Sequence, residues 1–78
     1  MLNNTCQHML DEAYRELRDP QFAEVFELKF AATQFATQVL HMQGAMDVVD
    51  YRLYTNRLRA ARMHYDALRA RQVRLYQK

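Results

Sequence analysis

The sequence predicts an all-α protein of three helices. Two of them form an antiparallel helical hairpin, over about residues 20–43 and 47–76, and a shorter N-terminal helix covers about residues 5–18. Three observations lead to this class. Apolar residues recur in steps of three and four along nearly the whole chain, the spacing of a helix face. The only strong breakers are Pro20 and Gly44, which divide the chain into three long uninterrupted segments. No segment alternates with period two, and only Val48 and Val49 set β-branched residues side by side.

In the first segment, Cys6, Met9, Leu10, Ala13, Tyr14 and Leu17 fall on one face. Asn3, Asn4 or Thr5 suits its N-cap, and Arg15 and Arg18 suit the negative end of its dipole. Asp19 and Pro20 then close one helix and open the next, since proline at the first helical position gives up no hydrogen bond.

The second segment places Val25, Leu28, Ala32, Phe35, Val39 and Met42 at the alternating spacing of a coiled-coil seam. Phe22, Phe26, Ala36 and Leu40 widen its apolar arc to roughly 200°, leaving Glu27, Gln34, Gln38 and His41 for water. A helix apolar over so much of its surface is a central helix with more than one neighbour. Gly44 ends it, and Asp47 is placed to cap the third segment, with Asp50 favouring the same dipole. There Tyr51, Tyr54, Leu58, Ala61, Tyr65, Leu68, Gln72 and Leu75 form a second seam. The expected packing is seam against seam, with Phe35 and Leu58 mid-seam. At 1.5 Å per residue the helices span about 21, 36 and 45 Å, so the third should reach the Asp19–Pro20 corner or pass it.

A chain of 78 residues makes one small domain that buries a modest share of its surface and needs outside support. Cys6 is the single cysteine, which rules out an internal disulfide and suits a reducing, cytoplasmic setting. No metal pair at helical spacing occurs: Cys6 and His8 point about 200° apart, and no His-x-x-x-His or Cys-x-x-Cys is present. A second copy of the chain is the remaining support, giving a homo-oligomer and most simply a homodimer. Residues 30–46 are uncharged but too polar for a membrane span, and residues 1–16 lack the pattern of a signal peptide.

Charge is unevenly divided. Residues 1–51 carry a net −5, whereas residues 52–78 hold seven arginines and Lys78 against Asp66 alone, a net +7. Arg59, Arg62, Arg69, Arg71 and Arg74 are the candidate partner-binding residues of this basic helix, with Lys29 inside the apolar arc of the second helix. Arginine suits an acidic protein surface or the phosphates of a nucleic acid. The same arginines also suit ion pairs with Glu24, Glu27, Asp11, Glu12 and Glu16, and Lys29 suits a neighbouring acid. They scatter around the helix and make no single stripe. Tyrosines between arginines can stack on bases but equally pack a core edge.

With one glycine there is no phosphate-binding loop, and Cys6 has no base beside it in sequence. No catalytic residue, cofactor site or metal site is expected. The expectation is a small non-enzymatic regulatory or adaptor protein that binds another protein through helix faces. The alternative is a nucleic-acid binder using the third helix.

Overall fold

The computed structural model describes the backbone of residues 2–76 and the side chains through residue 72. Three helices run up, down and up: α1 (Asn4–Leu17), α2 (Phe26–Met42) and α3 (Val48–Tyr76). Each predicted cap is present. The Asn3 side chain accepts from the Cys6 amide at 2.8 Å, Asp19 from the Gln21 amide at 2.9 Å, and Asp47 from the Asp50 amide at 2.8 Å. Gly44, at φ +78°, makes the left-handed turn that ends α2, and the Ala45 amide closes onto the Leu40 carbonyl at 3.0 Å.

The second helix differs from expectation at its start. Pro20–Val25 forms a 3-10 helix, and the α-helix begins only at Phe26. Six residues at 120° rather than 100° turn the apolar phase by roughly 120°, so a wheel counted from Pro20 does not carry into α2. Shortened to 17 residues, α2 leaves the last turns of α3 projecting, which contributes to the 50 × 20 × 15 Å outline.

The larger correction concerns which face of α2 packs. Phe26, Thr33 and Thr37 are its buried residues, with Phe30 and Leu40 packed beside them. The predicted seam lies on the far side: Leu28, Phe35 and Met42 are 72%, 68% and 83% exposed. Two threonines take the inner positions because their hydroxyls are satisfied at no cost to the core. Each donates to the carbonyl four residues back at 2.8 Å, and Thr37 also meets the Tyr14 hydroxyl at 2.9 Å. His41, expected in water, stacks on Tyr51 at 4.2 Å and donates through Nδ1 to the Met46 carbonyl at 3.1 Å.

The seam of α3 stands as predicted through its first half. Tyr54, Leu58 and Ala61 are buried, while Leu68 and Gln72 are exposed because α2 has already ended beside them. The side chains of Leu75 and Tyr76 lie outside the described residues. Aromatic contacts tie the helices together: Tyr14 stacks on Tyr54 with centroids 5.2 Å apart, and Phe26 on Tyr65 at 3.9 Å. Leu10, Tyr14 and Leu17 complete the core from α1, and Leu2 and Met46 plug it from outside the helices.

Candidate functional site

Small side chains create an apolar concavity. Where α1 runs beside α2, Ala13 on one helix and Ala32 and Ala36 on the other keep the shared edge low, opening a groove of about 510 Å³. Met9 walls it from α1, and Phe35 and Val39 from α2. The lining is almost wholly apolar, since the hydroxyl of Thr33 turns back to its own helix. Beyond the groove the surface continues along α2, where Leu28, Phe35 and Met42 stand seven residues apart on one line. This is the face that the sequence assigned to the hairpin interior. Its spacing was the available signal, and only its direction was misjudged.

A second hollow, between α1 and α3, has the opposite chemistry. Asp11, Glu12, Arg15, Arg18 and Arg57 line about 570 Å³. Most of these charges answer one another: Arg57 meets Asp11 at 3.0 Å, and Arg15 pairs with Glu12. The Tyr54 hydroxyl donates to the same Asp11 at 3.3 Å. Burial pushes the Tyr54 phenol above its ordinary value, and the charge of Asp11 adds to the effect. Burial also raises Tyr14, partly offset by its hydrogen bond with Thr37 and by Arg57. Both phenols stay protonated and serve as hydrogen-bonding groups.

The candidate partner-binding residues do not converge. Lys29 reaches Glu16 at 2.6 Å and lies over the Phe22 ring, so it joins α1 to α2. Arg62 makes a two-point contact with Glu27, at 2.7 and 3.1 Å, and lies over the rings of Phe26 and Phe30. That bond holds the Glu27 carboxyl below its ordinary range. Arg69 lies over Tyr65, and Arg59 and Arg71 stand in solvent; none of the three pairs with a carboxylate among the described residues. The side chain of Arg74 lies outside the described residues. The asymmetry in charge is thus partly consumed by the fold, through Arg57 and Arg62.

Among the described residues no three His, Cys, Asp or Glu side chains are grouped to hold a metal ion. No described helix is long and apolar enough to cross a membrane. Cys6 is a free, half-buried thiol at the groove. Comparison with protein-family models, with curated proteins and with solved structures finds no match.

Proposed function

We propose that this chain is a small non-enzymatic regulatory or adaptor protein that binds another protein through its helix faces and works as a homodimer. The observation that supports this reading is the apolar groove between α1 and α2 with the exposed line Leu28–Phe35–Met42 beside it. Large apolar side chains in a contiguous row on a small chain mark a contact surface. The exposed Arg59, Arg69 and Arg71, spread around α3, add basic charge suited to an acidic protein surface. The same three arginines favour one competing reading, a nucleic-acid binder, because none of them forms an ion pair with a carboxylate among the described residues.

Affinity capture from the cell of origin, with and without nuclease, separates the two. The expected result is a protein partner that survives nuclease and is lost when Arg59, Arg69 and Arg71 are changed to Gln. Capture abolished by nuclease, together with sub-micromolar binding of DNA or RNA at about 0.15 M salt, would replace this reading with the nucleic-acid one.

A further inference from the structure

Resting on the homodimer reading above, we infer that the outer face of α2 pairs with the same face of a second copy in the antiparallel direction. The seam itself is self-complementary only that way round. In an antiparallel pair of 3-4 seams, each layer joins residues whose numbers sum to a constant, and here that constant sets Phe35 against the partner copy's Ala32, twice, about the two-fold axis. Leu28 then meets Val39, and the small residues Ala31 and Ala36 flank the central layers. Large fills small at the centre, and the backbones can approach. A parallel pair stacks Phe35 on Phe35 and Ala32 on Ala32, a bulge beside a void.

Charge points to the same occupant. From Phe30 to Met46 the chain carries no Asp, Glu, Lys or Arg, so the face neither repels a copy nor selects a charged stranger. The charges at its edge are already engaged, Lys29 with Glu16 and Glu27 with Arg62. The antiparallel direction also keeps Glu24 and Glu27 of the two copies at opposite ends of the pair. Area agrees as well. Met9, Leu28, Phe35 and Met42, exposed by 66%, 72%, 68% and 83%, present roughly 600 Å² if a large side chain carries about 200 Å². With Val39 and the groove alanines added, this approaches the roughly 800 Å² per partner of a stable interface.

The test uses the full chain. Sedimentation equilibrium of the parent should give about twice 9.4 kDa. Phe35→Glu should remain helical, since Phe35 is outside the monomer core, and sediment as a monomer. Direction is read by disulfide trapping in a Cys6→Ser background. Leu28→Cys mixed with Val39→Cys should form a linked pair under mild oxidation, while each alone should not, its sulfurs being about 16 Å apart along the axis. A dimer in which Leu28→Cys links to itself sinks the antiparallel arrangement and leaves the homodimer intact. A dimer indifferent to Phe35→Glu moves the interface to another face. A parent that stays monomeric overturns this inference together with the homodimer reading beneath it.

Discussion

Thr37 shows how a polar residue is taken into an apolar core. It is 1% exposed, between α1 and α2, and its hydroxyl is shared between the Thr33 carbonyl and the Tyr14 phenol. Thr37→Val keeps the shape but leaves the buried Tyr14 hydroxyl without that partner, at an expected cost of about 1–3 kcal/mol in urea unfolding. The double change Thr37→Val with Tyr14→Phe should recover part of the loss. Leu58, 5% exposed on α3, belongs to the core in the ordinary way, and Leu58→Ala should cost about 2–5 kcal/mol. Phe35→Ala, by contrast, should leave the monomer fold near the parent, because it opens no cavity within the bundle. A large loss in that variant, measured where the chain is dimeric but not where it is monomeric, would be the signature of the α2 interface. The raised phenols of Tyr14 and Tyr54 add a pH dependence. A protonated group whose folded pKa lies above its ordinary 10.0 stabilises fully below that value, and the contribution is lost as pH rises through the folded pKa. Unfolding free energy should therefore fall above about pH 10, and less steeply in Tyr14→Phe.

At the scale of elements, the three helices owe their limits to side chains that satisfy backbone amides. Asn3, Asp19 and Asp47 each accept from an amide two or three residues on, and each was legible because asparagine or aspartate stands just before an apolar periodic run. Asp47→Ala removes the cap of the longest helix and should cost about 0.5–2 kcal/mol, with the loss of helicity confined to the first turn of α3 by amide exchange. Gly44→Ala places a Cβ on a residue at φ +78°. No atom blocks that Cβ, so the expected cost is the backbone strain alone, about 1 kcal/mol. The 3-10 stretch was not legible. Proline opens an α-helix as readily as a 3-10 helix, and the choice came from the corner where α1 hands over to α2. There the Phe22 amide closes onto the Asp19 carbonyl at 3.0 Å.

The whole molecule divides its charge between structure and surface. Arg57 and Arg62 bridge helices, whereas Arg59, Arg69 and Arg71 meet no carboxylate among the described residues. Changing those three to Gln should therefore leave the melting temperature within a few degrees of the parent. The effect should appear in association with an acidic partner, as a slower on-rate most marked at low ionic strength. If the target is nucleic acid instead, the salt dependence of binding should flatten by about one unit of slope per phosphate contact removed.

Helix content, the two breaks and the caps were settled by the sequence itself, because spacing, proline, glycine and short polar side chains act through the local backbone. The direction in which α2 faces was decided only in three dimensions. That helix offers two apolar sides about 180° apart, Phe26, Phe30 and Leu40 on one and Leu28, Phe35 and Met42 on the other, and periodicity scores both. The choice fell to the side whose Phe26 ring meets Tyr65, 39 positions away, and whose Thr37 hydroxyl meets Tyr14, 23 positions away, while Thr33 and Thr37 donate back to their own helix. The same distance hides the fate of the arginines. Whether a guanidinium stays in water depends on which carboxylate the fold brings beside it, and for Arg62 that is Glu27, 35 positions away.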